Sequence, residues 1–205
     1  MSQIVLLHGW GYDASLWDAV RARLSVDTAT IDLGFYGAVP PAPTFAEPVI
    51  AVGHSLGVLW WLTQTNIRWT KLLAINGFPR FTETTDYAPA IAPRVLSRMQ
   101  QQFARDPATV LTDFHARCGG HAPTGTPNTK HLTAGLDWLA QWDGRATLAT
   151  RRADVIALAS THDPIVPAAM SAMAFGSVES IDAQGHLLPV THPELCAQWI
   201  ERLTA

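Results

Sequence analysis

Gly53-His54-Ser55-Leu56-Gly57 follows the apolar run Pro48-Val49-Ile50-Ala51-Val52 and precedes the helix-compatible run Val58 to Thr65. A G-x-S-x-G pentapeptide at a strand-to-helix junction constrains the chain more than any other feature, because only a sharp, strained turn joins the two elements there. Its two glycines let the backbone reverse and let the start of a helix press against the strand. The Ser55 hydroxyl is then displayed at the carboxyl end of the strand, beside unpaired backbone N–H groups. A hydroxyl displayed in this way is a candidate nucleophile, and it needs a base from elsewhere in the chain.

The rest of the sequence supplies a frame for such a junction. Strand-like runs occur at Gln3 to Leu7, Thr28 to Asp32, Val49 to Gly53, Leu72 to Asn76, Asp154 to Ala159 and Val178 to Asp182. Most are continuously apolar, as strands covered on both faces of a parallel sheet are. Helical patterns at Ala14 to Leu24, Leu56 to Asn66, Pro167 to Met173 and Pro193 to Leu203 alternate with them, and Pro167 and Pro193 suit a first helical turn. Alternation of this kind predicts a doubly wound α/β fold with a mostly parallel sheet of about six strands, whose ligands collect at the strands' carboxyl ends.

From Gly77 to Trp142 the alternation stops. Proline breaks separate helical patterns at Pro93 to Ala104, Pro107 to Arg117 and Thr129 to Trp142. Asp106-Pro107 reads as an N-cap followed by the first helical residue, and Gly119-Gly120 as a stop. These features predict a helical lid over residues 77–142, inserted into a core formed by 1–76 and 143–205. The stretch from Asp32 to Gly53 is short and carries Pro40, Pro41, Pro43 and Pro48, which argues against the helical crossover that parallel neighbours normally need.

Composition excludes several classes of function. The chain has 205 residues, 48% of them apolar and 15% charged, with a net charge of −3, which describes one well-buried domain. Without a Lys/Arg-rich run, nucleic acid is not an expected partner. Met1-Ser2-Gln3 leads directly into Ile4-Val5-Leu6-Leu7 with no basic segment before it, and there is no long apolar stretch. A soluble, cytoplasmic protein without a membrane partner is expected. Cys118 and Cys196 are expected to be reduced thiols, and the histidines lack the spacing of a ligand cluster, so no metal or cofactor is expected.

In folds with this elbow the partners of the serine follow in the order acid, then histidine. His186, in the loop Gln184-Gly185-His186 after the last strand-like run, is the candidate base. His192, which precedes Pro193, reads as a neighbour of a helix cap, and His115, His121 and His131 read as surface cover. Asp163 closes the run Ala157-Leu158-Ala159-Ser160-Thr161-His162-Asp163 and is the candidate acid, with Asp182 and Asp143 as competitors. Its role would be to accept the ring N–H of His186 and fix the tautomer that leaves the other nitrogen free. Charge developing on a substrate carbonyl oxygen needs backbone donors. The amides of Leu56 and Trp10, the latter in the loop His8-Gly9-Trp10-Gly11, are the candidates, and the Trp10 indole would line the pocket. His8 reads as a structural turn residue.

Taken in order, Leu6-Leu7-His8-Gly9-Trp10-Gly11, the elbow, Asp163-Pro164-Ile165-Val166-Pro167 and Gly185-His186 make the chain resemble the α/β-hydrolase family over nearly its whole length. Further motifs make it similar, within that family, to the esterases that hydrolyse the methyl ester of pimeloyl-[acyl-carrier protein] in biotin synthesis. These are Gln100-Gln101-Gln102 followed by Phe114, Gly135-Leu136 with Leu139, Asp143-Gly144-Arg145, and His192-Pro193-Glu194. The resemblance implies an α/β-hydrolase fold and a triad of Ser55, Asp163 and His186. It implies an oxyanion hole at Trp10 and Leu56, and acyl-chain contacts from Phe114, His115, Ala116, Arg117 and Cys118. It also implies a carrier-protein-linked acyl ester as substrate. The chain departs from those esterases in lacking an amino-terminal hairpin, in a shortened segment before the elbow, and in having Thr109 and Asp113 where they carry lid arginines. Arg94, Arg98 and Arg105 could substitute for these in docking acyl carrier protein; a solvated helix face is the competing reading. A thioesterase, a lipase-like esterase or a carbon–carbon bond hydrolase uses the same residues, and a non-catalytic binding protein is the reading from another class.

Overall fold

In a computed structural model that describes residues 2–39, 41 and 44–204, the strands are β1 (Ile4–Leu7), β2 (Thr28–Ile31), β3 (Val49–His54), β4 (Trp69–Ile75), β5 (Val155–His162) and β6 (Glu179–Gln184). They form a single parallel sheet in the order β2-β1-β3-β4-β5-β6. The central strands β1 and β3 are buried throughout, whereas the edge strands β2 and β6 are partly exposed. This is the distribution that near-continuous apolar runs in the centre and mixed runs at the edges dictate. The chain leaves β1 toward β2 on one side and returns to β3 on the other, so the carboxyl ends of β1 and β3 flank the point where the strand order reverses. Open α/β sheets bind ligands there.

The helices in chain order are α1 (Asp18–Arg21), α2 (Leu56–Thr63), α3 (Pro93–Arg105), α4 (Pro107–Cys118), α5 (Thr129–Gln141), α6 (Arg145–Arg151), α7 (Ala168–Phe175), α8 (Leu188–Thr191) and α9 (Pro193–Arg202). The predicted helix Ala14–Leu24 is instead a 3-10 turn, Ala14–Trp17, followed by the single turn α1. The amides of Arg23 and Leu24 bond three residues back rather than four, which tightens and ends the helix. Pro167 caps α7 instead of starting it, while Pro193 is in the first turn of α9. Two short helices, α6 and α8, have no counterpart among the helical patterns of the sequence. Among the described residues no helix joins β2 to β3, and Pro40 and Pro43 lie outside them.

Residues 77–142 enter between β4 and β5 as α3, α4 and α5 with connecting turns, α3 packing on both α4 and α5. The Asp106 side chain accepts from the Thr109 amide at 3.1 Å and so caps α4. This segment is sewn to the sheet's carboxyl edge. Trp10 Nε1 donates to the Leu132 carbonyl at 2.8 Å, the Asn128 amide to Phe35 O at 2.8 Å, and His131 Nδ1 to Leu33 O at 3.1 Å. Phe103 and Phe114 close edge-on around the Trp10 indole. Among the described residues no helix is long and apolar enough to cross a membrane.

Candidate active site

Ser55 sits between β3 and α2 with φ 54° and ψ −121°, a left-handed conformation that side chains other than glycine adopt only when their surroundings impose it. Glycine contacts impose it here. A Cβ on Gly57 would lie 2.5 Å from the Leu7 carbonyl oxygen and one on Gly53 2.7 Å from the Val58 nitrogen, so only glycine lets α2 start against the ends of β1 and β3. A Cβ on Gly9 would meet the Ser55 Cβ at 2.8 Å, which brings the loop after β1 directly against the serine. The amides of Leu56 and Trp10 have no hydrogen-bond partner among the described residues, as donors awaiting an oxyanion would not. The Trp10 indole is buried and bonded to Leu132; it packs between the β1 loop and the inserted helices.

Asp163 follows β5 in the turn Asp163-Pro164-Ile165-Val166. Its Oδ1 accepts from the Ile165 amide at 2.7 Å and the Val166 amide at 2.9 Å. Its Oδ2 accepts from His186 Nδ1 at 2.7 Å, and both side chains are 1% exposed. A carboxylate already holding two N–H groups is fixed in place and presents one remaining oxygen to the imidazole. Nδ1 therefore carries the ring proton and Nε2 the lone pair. Nε2 is buried without a partner among the described residues, so no hydrogen bond to Ser55 is formed here. Such bonds often tighten only when substrate is bound. The imidazole is nevertheless at the elbow, its centre 4.7 Å from the ring of His54, the residue before Ser55.

The loop carrying His186 is held from two directions. Gly185 has φ +88°, and a Cβ there would press on the Cys118 carbonyl at 3.1 Å. The same carbonyl, at the end of α4, accepts from the His186 amide at 3.2 Å. Arg117 Nη2 donates to the Pro164 carbonyl at 3.1 Å, so the last turn of α4 touches both the Asp163 loop and the His186 loop. From the core, His54 Nε2 donates to the His186 carbonyl at 2.9 Å and Asn76 Nδ2 to the same oxygen at 2.7 Å. Burial, then the neighbouring His186, holds the His54 pKa well below the usual histidine value, so His54 is neutral and serves as a strut.

The competing residues lie elsewhere. Asp143 is taken up by Arg145 and Arg80. Asp182 is exposed and faces Thr161 at 3.5 Å, and His192 occupies the cap of α9. His8 is buried; its Nδ1 donates to Gly9 O at 2.9 Å and its Nε2 accepts from the Leu33 amide at 3.0 Å, a structural turn residue. His115, read from sequence as surface cover or an acyl-chain contact, is buried instead. Its Nε2 donates to the Gly11 carbonyl at 2.8 Å, which braces α4 on the β1 loop, and burial lowers its pKa. Burial also pushes the thiols of Cys118 and Cys196 up to about 12, which removes them as nucleophiles at neutral pH. Both are free. Among the described residues no cluster of three metal-ligating side chains occurs.

A small apolar cavity of about 70 Å3 between the inserted helices and the core is lined by Phe81, Ile91, Leu96, Met99, Phe114 and Ile165. Ile165 lies two residues after Asp163. The cavity's outer wall, with Val95, Met99, Phe114 and Arg117, is shared with a cleft of about 330 Å3 between α3 and α4 that also carries Arg98. Of the expected acyl contacts, Phe114 and Arg117 line these spaces; Trp10, His115, Ala116 and Cys118 do not. Sequence reasoning gave no role to His54 or Asn76. Asn76, a polar residue ending an apolar strand just before Gly77, was the available signal.

No family model matches the chain. Among curated proteins it is 28% identical over 199 residues to a pimeloyl-[acyl-carrier protein] methyl ester esterase of Pectobacterium atrosepticum, covering 81% of this chain and 78% of that one. It is 27% identical over 240 residues to the protein of the same name from Aromatoleum aromaticum, covering 97% and 96%. It matches the biotin biosynthesis bifunctional protein BioHC of Cellvibrio japonicus at 24% identity over 96% of its own length, but spans only 44% of that protein. Among solved structures, an esterase from Exiguobacterium antarcticum superposes with a TM-score of 0.76 at 16% identity, covering all of this chain and 92% of the other. A thermophilic esterase from Thermogutta terrifontis gives 0.73 at 19%, covering 100% and 89%. With its parallel sheet, its inserted helices and these neighbours, the chain has the fold of the α/β-hydrolases.

Proposed function

We propose that the chain is a carboxylic ester hydrolase that works through an acyl-enzyme, with Ser55 as nucleophile, His186 as general base and Asp163 as the carboxylate that orients it. The observation that carries this reading is the buried His186–Asp163 hydrogen bond beside a serine held at positive φ. Ser55 Oγ attacks the ester carbonyl as its proton passes to His186 Nε2, and the Leu56 and Trp10 amides receive the developing oxyanion. The imidazolium, stabilised by Asp163, gives its proton to the departing alcohol. Water then repeats the sequence on the acyl-enzyme, releasing the acid and regenerating Ser55.

The substrate that the curated relatives' names support is the methyl ester of pimeloyl-[acyl-carrier protein], with methanol as leaving group. Residues 77–142 act as a lid, and with Ile165, two residues from Asp163 in the chain, they enclose the small apolar cavity. Arg94, Arg98 and Arg105 are exposed along α3 with no ion-pair partner among the described residues. They form the docking face for an acidic carrier protein. The test is turnover of the carrier-protein methyl ester at low salt by wild type and by Arg94→Glu with Arg98→Glu. The expected outcome is hydrolysis by the wild type and a rise in KM of at least tenfold in the variant, fading at high salt as screening sets in. Unchanged KM would remove the docking face. Failure of an enzyme active on simple esters to hydrolyse this substrate would favour another acyl ester or a thioester.

A further inference from the structure

Asn76 closes β4 in a conformation that an apolar strand end does not require. Its φ is +46°, it is 1% exposed, and every polar atom of its side chain is used. Oδ1 accepts from the Ser160 amide at 2.8 Å. Nδ2 donates to Ser160 Oγ at 3.0 Å and to the His186 carbonyl at 2.7 Å. Its own amide donates to Leu158 O at 2.9 Å. Asparagine is among the few non-glycine residues that adopt this backbone conformation readily, and its primary amide offers an acceptor and two donors from one planar group on a short side chain. The β5 strand and the loop of the base are thereby fixed by a single side chain.

Ser160 and His186 flank the acid loop in space: Ser160 lies on β5, three residues before Asp163, and His186 Nδ1 donates to Asp163 Oδ2. From this juxtaposition we infer that Asn76 is a positioning residue for catalysis, which sets the His186 imidazole against Ser55 by gripping the His186 main-chain carbonyl. The inference rests on the reading of His186 as general base. Asn76 touches no reacting atom. Its effect passes through the backbone of residue 186, which the Cys118 carbonyl of the lid holds from the opposite side and His54 holds from beneath. Removing the Asn76 donor leaves the carbonyl with one partner from the core, so the imidazole can drift relative to the serine. A displacement of about 1 Å in a catalytic group costs on the order of a hundredfold in rate.

Asn76→Asp separates this role from a structural one. The carboxylate is the same shape, tolerates positive φ, and still accepts from the Ser160 amide, but it presents an oxygen where Nδ2 met the His186 carbonyl. Ser160→Ala makes the complementary change, removing the β5 hydroxyl contact while sparing the bond to His186. The folded Asn76→Asp protein is expected to lose about ten- to a hundredfold in kcat on a p-nitrophenyl ester with KM within about twofold. In its NMR spectrum the downfield proton of the His186–Asp163 bond should shift or broaden. Ser160→Ala should retain wild-type kcat and the wild-type signal. Asn76→Gly, which keeps the left-handed backbone without strain, should behave as Asn76→Asp does and replaces it if that protein fails to fold. Wild-type kcat and an unmoved downfield proton in either folded variant would overturn the inference, as would equal losses in Ser160→Ala. His186→Ala measured alongside keeps the two claims apart: if it retains turnover the general-base reading fails, and the NMR signal alone decides whether Asn76 positions residue 186.

Discussion

Asp163→Asn is expected to lower kcat for ester hydrolysis by about ten-thousandfold while leaving the fold intact. The asparagine Oδ1 still accepts from the Ile165 and Val166 amides, so the turn is preserved. What changes is the group facing His186 Nδ1: an amide N–H replaces the oxygen that now accepts at 2.7 Å. The imidazole responds by moving its proton to Nε2 so that Nδ1 can accept, and a ring protonated at Nε2 cannot take the proton of Ser55. Burial sharpens the effect, because neither side chain has water to fall back on. Steady-state kinetics of the folded variant checks this; a kcat within tenfold of wild type would mean that Asp163 does not orient the base.

The second large effect is on stability. In the middle of a helix Gly→Ala ordinarily stabilises by up to about 1 kcal/mol, since alanine gives up less backbone entropy. At Gly57 the sign reverses. The new methyl would lie 2.5 Å from the Leu7 carbonyl oxygen and 2.8 Å from that of His8, both backbone atoms of the central strand and its following loop, which no rotamer change can move away. The clash exceeds the propensity gain, and Gly57→Ala should destabilise the protein by about 3 kcal/mol, near the upper end for overpacking. For a chain of this size that lowers Tm by about 10 °C, read by thermal unfolding followed by circular dichroism. A Tm at or above wild type would show that α2 can retreat from β1, and that the elbow is looser than these contacts require.

Much of this arrangement was legible in the residues, for reasons of periodicity. Continuous apolar runs such as Val49 to Val52 can be covered only on both faces, which fixed strand type and parallel pairing. Asp163-Pro164 after one strand and Gly185-His186 after the next carried the spacing that the structure brings together. Short elements escaped: α6 and α8 have seven and four residues, too few to show a helical period. β5 runs on to His162, past its apolar stretch, because beyond an irregularity after Ser160 His162 pairs with Gln184 of β6, which local sequence does not reveal. His115 shows the converse. Its position on a lid helix suggested exposure or substrate contact, yet its role is set by the Gly11 carbonyl more than a hundred residues away in sequence. Asn76 likewise reads as a turn former until β5 and the His186 loop are placed around it.

The central claim is that Ser55 is the residue that becomes acylated, activated by His186. A fluorophosphonate, which phosphonylates activated serines, followed by intact mass and peptide mapping, tests it most directly. The account predicts one adduct per chain on Ser55, none in Ser55→Ala, slow labelling in His186→Ala, and ester turnover lost in step. An adduct on another residue, or undiminished ester hydrolysis by Ser55→Ala, would contradict it.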